Sequence, residues 1–303
     1  MKNNHKQGVI NAVIAYTMWG IYPLYWRLLQ SIGPTEILIN RMLWSFFTLG
    51  IVIVFWRLGE TLKSVCITLW QDKKKLFLLI AAAALLGINW FIFTYSIVSG
   101  QILEASLGYY INPIFSILIG VIFLKEKLNN YQILAAFIAT IGVAFLTVIH
   151  GALPWISLAL AVTFGFYGLA KKLIGIDPFF SLFLETVLML PVSAFFFSFW
   201  LTDGTSAFLQ GNLAYVFLLI GAGFITTTPL YFFSKAAGQL PLKTLGFLQY
   251  IGPTLQLLVA IFITGEYFST QRLLAFAIIW VACILFSTSH LLPQKQPSNK
   301  SSA

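Results

Sequence analysis

Apolar residues in this chain come in long runs, such as "INAVIAYTMWGIYPLYW", "LWSFFTLGIVIVFW" and "LFLLIAAAALLGINWFIF", separated by short polar stretches. At about 20 apolar residues per bilayer crossing, the runs predict ten transmembrane spans: 8–28, 37–56, 76–98, 102–124, 130–149, 154–173, 178–200, 212–234, 242–264 and 270–290. The connections are short. The longest, from Arg57 to Lys75, leaves no room for a separate soluble domain. Two runs carry a proline in mid-course, "LGYYINPIFSILIGVIFLKEKL" and "LGFLQYIGPTLQLLVAIFITGEYF".

These two runs are related. Tyr110 and Tyr250, Pro113 and Pro253, and Glu126 and Glu266 share one spacing of 140 residues. Between 110–126 and 250–266 there are five identities, with proline and glutamate aligned together. The relation extends backward: Arg41 lies seven residues after Pro34, and Glu185 lies seven after Pro178. Five spans per half is an odd number, so the second half enters the membrane from the opposite side. The sequence therefore predicts an all-α integral membrane protein of two inverted five-helix repeats, 8–149 and 154–290, with a disordered tail at 291–303. Duplications of this kind mark carriers that work by alternating access around a midplane site at interrupted helices. A central cavity is expected between the halves.

Composition agrees with the span reading. Apolar residues make up 59% of the chain and charged residues 9%, against about 25% charged in a globular domain. The formal charge of +9 raises the question of nucleic acid, but the cations recur between spans, and only Lys73-Lys74-Lys75 forms a run. A surface that tracks phosphates needs clustered cations, so a nucleic-acid partner is excluded. With the N-terminus inside, fifteen of the 18 Lys and Arg fall on the inner side, Lys171 and Lys172 among them at the inner end of the span 154–173. This bias predicts N-in, C-in topology. The basic N-terminus leads into an apolar stretch too long for a secretory signal and reads as a retained first span. Cys66 and Cys283 offer neither a disulfide nor a metal set, and the three histidines stand at span ends or termini. No phosphate-binding Gly-x4-Gly-Lys-Ser/Thr motif occurs, so an ATP-driven pump on this chain is unsupported. The sequence calls for no cofactor, no metal and no catalytic residue.

Candidate chemistry lies inside the spans. Arg41 is the one basic residue placed well within a span, and Glu185 occupies the related place in the second half. Intramembrane charge points to function by default. Arg41 is expected to anchor an anionic or polar solute group, with Glu185 either balancing it or carrying a coupling proton; a purely structural ion pair is the alternative. Pro113 and Pro253 free backbone carbonyls and read as hinges or as packing kinks, and Asn112 beside the first offers a polar partner. Trp19 and Tyr22, with Tyr16, share a face of the first span, while Trp90, Tyr95, Tyr110, Tyr231 and Tyr250 crowd the spans near the proline sites. Their rings with polar tips suit an amphipathic aromatic solute. Gln249 adds an uncharged polar group. Glu104, Glu126 and Glu266 read as helix-end anchors.

Two five-span halves, each ending in a Pro-x12-Glu helix followed by a small-residue span ("AAFIATIGVAFL", "LLAFAIIWVACILF"), resemble the EamA-type permeases of the drug/metabolite transporter superfamily. Within it, "YTMWGIYPLYWRLL" followed by "PTEILINRMLWS" is similar to the RarD branch, bacterial inner-membrane proteins associated with chloramphenicol sensitivity or export. The resemblance implies a helical basket around a central cavity in the bacterial inner membrane. It also implies secondary export of a small organic solute, a drug such as chloramphenicol or an amino-acid or aromatic metabolite. A facilitator or channel is the alternative, and an intramembrane lipid-modifying enzyme a more distant one.

Overall fold

The computed structural model describes residues 2–99, 101–150, 155–263 and 270–289, all in helices and their connections, with no strand among them. Helices fit the setting, because a chain in hydrocarbon must satisfy its own backbone donors and acceptors. In order they are α1 (Lys2–Ile21), α2 (Pro23–Arg27), α3 (Pro34–Phe55), α4 (Gly59–Gln71), α5 (Lys73–Val98), α6 (Ile102–Leu124), α7 (Asn130–His150), α8 (Trp155–Ile174), α9 (Pro178–Thr202), α10 (Leu213–Gln239), α11 (Leu242–Gln249), α12 (Ile251–Phe262) and α13 (Thr270–Thr288). Seven of them, α3 and α5 to α10, are long and apolar enough to cross a membrane. The pair α1–α2, the pair α11–α12, and α13 occupy the other three windows read from the sequence. The expected tail at 291–303 and the Glu266 end of the second proline segment lie outside the described residues.

Two expectations need correction. The stretch from Arg57 to Lys75 is not a plain connection, because Gly59–Gln71 forms α4. Leu58, Leu62, Val65 and Leu69 recur at helical spacing, and Leu69 is buried with Leu79 of α5 and Ile174 of α8, with Val65 packed beside them. The second correction concerns the helix breaks. α6 runs unbroken through Pro113, whereas the second proline segment is divided at Tyr250 into α11 and α12. Pro253 falls in the first turn of α12, where a missing N–H costs nothing. At the first site the Tyr250 hydroxyl donates to the Tyr110 carbonyl at 3.4 Å, an added bond at the backbone turn that Pro113 disturbs.

The helices alternate in direction. One end of the bundle gathers the start of α1, the starts of α5 and α9, and the ends of α8 and α10: Asn11 bonds Gln239, Lys172 donates to the Leu240 carbonyl, and Leu79 meets Ile174. Lys73, Lys74 and Lys75 lie there, so we call it the basic end. The opposite end joins α2, the start of α3 and the start of α10, through Tyr25 with the Leu218 carbonyl and Ser31 with Tyr215 at 2.8 Å.

Packing is concentrated between the halves. α1 packs on α10, as α8 packs on α5; α1 packs on α11–α12, as α8 packs on α6; α3 packs on α10, as α9 packs on α5. The remaining principal contacts, α3 with α9, α6 with α11 and α7 with α13, join counterpart to counterpart. Exchanging the two halves maps these contacts onto one another, whereas the contact of α8 with α10 has no counterpart between α1 and α5. Close contacts follow the same rule. A side chain at Gly20 would meet Leu255, one at Gly165 would meet Phe115, and these two partners keep the spacing of 140. Gly223 faces the Trp44–Ser45 backbone, while Gly87 faces Met189; Ser45 and Met189 each follow Arg41 and Glu185 by four residues.

At the basic end, Glu126 just past α6 accepts the backbone N–H groups of Leu242 at 2.7 Å and Lys243 at 3.0 Å. It caps the first turn of α11 and so anchors a helix end, but of the other half. Replacing Glu126 by Ala strands two donors and is expected to destabilise the fold by about 2 kcal/mol; a lowered melting temperature in detergent, with Gln partly restoring it, checks this. A Cβ at Gly223 would lie 2.3 Å from the Trp44 carbonyl. Gly223→Ala should cost about 1–3 kcal/mol or more by overpacking, whereas Gly238→Ala, which meets nothing within 4 Å, should leave the same melting temperature unchanged.

Candidate functional site

Arg41 lies seven residues into α3, about 10 Å along the axis from Pro34 at the helical rise of ~1.5 Å per residue. Its neighbours fix the face it presents. Asn40 is fully buried, donating to the Glu36 carbonyl at 2.9 Å and accepting from the Trp44 indole at 3.1 Å. Glu36 in turn accepts from Ser206 and from the Ala207 N–H, which moors the start of α3 to the loop after α9.

The Arg41 guanidinium is half-buried. Its Nε donates to Thr226 Oγ1 of α10 at 3.1 Å, and its Cζ lies 4.9 Å from the ring centres of both Trp26 and Trp90. Elements α2, α3, α5 and α10 thus each contribute one group. Among the described residues the only ion pairs are Lys75–Asp72 and Lys171–Glu185, so no described carboxylate balances this cation. A guanidinium stays charged at any accessible pH, is weakly hydrated and stacks on aromatic faces. The two indoles hold it in place without neutralising it. One turn before Trp26, the Tyr22 hydroxyl is buried with no partner.

Glu185 is elsewhere and is satisfied. It is 0% exposed on α9, and its Oε1 lies 2.5 Å from Lys171 Nζ of α8, itself 5% exposed. Ser181 donates to the same oxygen at 2.9 Å and the Tyr167 hydroxyl to Oε2 at 3.2 Å. Gly175, at φ 63°, makes the tight turn that sets α8 against α9 and brings the two charges together. The expectation that Glu185 balances Arg41 is therefore corrected: its partner is Lys171, which the span reading had counted only as an inner-side cation at the end of the span 154–173. Arg41 is likewise not the one basic residue inside a span.

Aromatic rings fill the space between the two centres. Tyr167 stacks on Phe233 of α10 at 5.9 Å and 12°, and Phe233 also meets Tyr16 and Trp19. Phe233 lies two turns along α10 from Thr226, about 10 Å. The expected set is thus divided. Trp90 sits on Arg41, Trp19 belongs to the aromatic layer, and Tyr231 is half-buried between Phe179 and Lys235. Tyr110 packs edge-on to Phe276, Tyr250 bonds the Tyr110 carbonyl, and Gln249 is buried beside it. Asn112 is buried with its Oδ1 unpartnered. Tyr95 is exposed against Trp155, away from both charges. The side chain of Glu104 lies outside the described residues.

Four residues at these centres escaped the sequence reading: Trp26, Lys171, Tyr167 and Ser181. Trp26 follows Tyr22 by four residues and so shares its face, a trace that was available. Lys171 gave no such trace, because it sits next to Lys172 at the end of a span. Away from both centres, α7 and α13 enclose a groove of about 380 Å³ lined by Ile141, Phe145, Leu274, Ala277, Ile278 and Val281. It offers no polar group to orient a solute.

Comparison with known proteins gives a consistent result. Residues 6–148 match the EamA-like transporter family. An uncharacterized transporter of Vibrio cholerae is 43% identical over 287 residues, covering 94% of this chain and 93% of its own. Protein RarD of Escherichia coli is 40% identical over 293 residues, covering 97% and 98%. A chloramphenicol-sensitive protein RarD of Pseudomonas aeruginosa is 29% identical over 279 residues, covering 92% and 93%. A crystal structure with 16% sequence identity superposes with a TM-score of 0.71 over 94% of this chain and 99% of the other, a likeness of fold alone. With helices apolar enough to span a bilayer and relatives named as transporters along nearly its whole length, this chain belongs to the EamA family as a RarD-type permease of the drug/metabolite transporter superfamily.

Proposed function

We propose that this membrane transporter is a secondary carrier that exports a small organic solute across the bacterial inner membrane by alternating access, with Arg41 as the solute anchor. The observation that carries the reading is a half-buried guanidinium that two tryptophans hold and no described carboxylate neutralises. Such a group attracts an anionic or strongly polar head, and Trp26 and Trp90 offer planes for an aromatic body. A polar aromatic solute fits both. The name of the Pseudomonas relative points toward chloramphenicol as a first compound to try.

Ten crossings in two inverted five-helix halves, with both termini inside, suit this mechanism. The contacts that map onto one another when the halves are exchanged support the duplication. Most described cations, including Lys63, Lys73, Lys74, Lys75, Lys125, Lys127 and Lys243, belong to the basic end, which supports placing that end in the cytoplasm. A carrier is favoured over an open channel because the basic end is closed: Glu126 ties α6 to α11, and the Lys171–Glu185 centre sits under the aromatic layer. Arg41 therefore faces the opposite, outward side.

Proteoliposome flux of radiolabelled chloramphenicol and of a panel of aromatic carboxylates tests the assignment. Arg41→Ala should lower flux of the transported compound by about 10–100-fold, the loss expected for a charge-assisted contact of ~1.5–3 kcal/mol. Arg41→Lys, which keeps charge but not the planar fork, should retain only part of it. Unaltered flux in Arg41→Ala, with the protein folded and inserted, would remove Arg41 from the site.

A further inference from the structure

We infer that Glu185, held by Lys171, is the proton site to which solute movement is coupled; this rests on reading the chain as a carrier. Four groups form a closed network away from the solute anchor. Lys171 Nζ contacts both Glu185 Oε1 and Ser181 Oγ at 2.5 Å, Ser181 donates to Glu185 at 2.9 Å, and Tyr167 donates to the second carboxylate oxygen at 3.2 Å. All four residues are buried. An acid and a base placed in a dry interior are tolerated only while each neutralises the other, because removing one charge strands its partner.

Protonation has that effect without a mutation. When Glu185 takes a proton from water at the basic end, its carboxylate becomes a neutral acid, and Lys171 keeps its own proton and its charge. The ammonium is then buried without a counter-charge, and the state that keeps α8 and α9 closed loses its main restraint. Opening the basic end lets Lys171 reach water. Loss of the proton restores the pair and closes that end. No other reactant is required.

The position of the network suits this task. It bridges the last turns of α8 and the first turns of α9, helices that pack on α5, α6, α10 and α3. Through Tyr167 it touches Phe233, and Phe233 meets Trp19 in the layer below Arg41. A shift in the Glu185 contacts is thus passed to the floor of the solute site. The other charged groups on the surrounding elements are engaged elsewhere. On α8, Lys172 donates to the Leu240 carbonyl; Asp177 caps α9; Lys235 of α10 lies over Tyr231. Asp72 holds the start of α5 and pairs with Lys75, and Lys73 lies over Trp70. Lys74 is exposed at that same end. Beside α6, Glu126 caps α11; on α3, Arg41 bonds Thr226 and Glu36 bonds Ser206.

The test needs no knowledge of the solute. Ser234 of α10 is 2% exposed beside Tyr167; Ser234→Cys in a Cys66→Ser, Cys283→Ser background gives one buried reporter. In full-length protein in liposomes, its labelling by a membrane-impermeant methanethiosulfonate from the basic end, divided by that of a denatured control at the same pH to remove the thiol's own ionisation, should rise about tenfold as pH is lowered. That is opposite to the intrinsic trend of a thiol. Glu185→Gln should label fast at every pH, and the apolar pair Lys171→Met with Glu185→Met should stay closed and show no rise. A flat profile in the parent, or the same rise in the Met pair, would overturn the proposal. If Glu185→Gln fails to fold, the Met pair still decides. Absent solute flux alongside an intact pH profile would count against the carrier reading and not against the proton site.

Discussion

A bilayer gives helices no hydrophobic reason to associate, so this bundle depends on backbones approaching closely where side chains are small. Gly223 against the Trp44 carbonyl, and Gly20 against Leu255, are such points, and both join one half of the chain to the other. The principal packing partners are counterparts or cross-half neighbours, so the two halves form one interlocked bundle.

Two charged centres are set into that frame, and they are handled in opposite ways. Arg41 is stabilised by rings and a hydroxyl, with no carboxylate among the described residues paired to it. Glu185 is given a lysine, a serine and a tyrosine, which leaves nothing unspent. The two positions, each seven residues past a helix-starting proline, thus differ in chemistry: one is held by rings and a hydroxyl, the other by a buried ion pair. The aromatic layer of Tyr16, Trp19, Tyr167 and Phe233 separates them and prevents a direct Arg41–Glu185 pair.

Much of this was legible in the sequence because a bilayer imposes a simple rule. Each crossing needs a run of apolar residues long enough to span, so the windows for all ten segments could be read directly, and helices occupy each of them among the described residues. Arg41 and Glu185 were legible for the same reason, since a charge inside such a run is conspicuous. α4 was not, because its single apolar stripe of Leu58, Leu62, Val65 and Leu69 is too short and too interrupted to register as a span.

By itself the sequence determined the class of protein, the apolar windows and the two charged positions, all properties of linear spacing and composition. Only the tertiary structure decided who meets whom. Lys171 counts as one more span-end cation until the fold brings it to Glu185, and Trp26 is one more interfacial aromatic until α2 sets it beside Arg41. Partners of a buried charge are chosen by distance in space, and spacing along a chain carries that information only within a single helix.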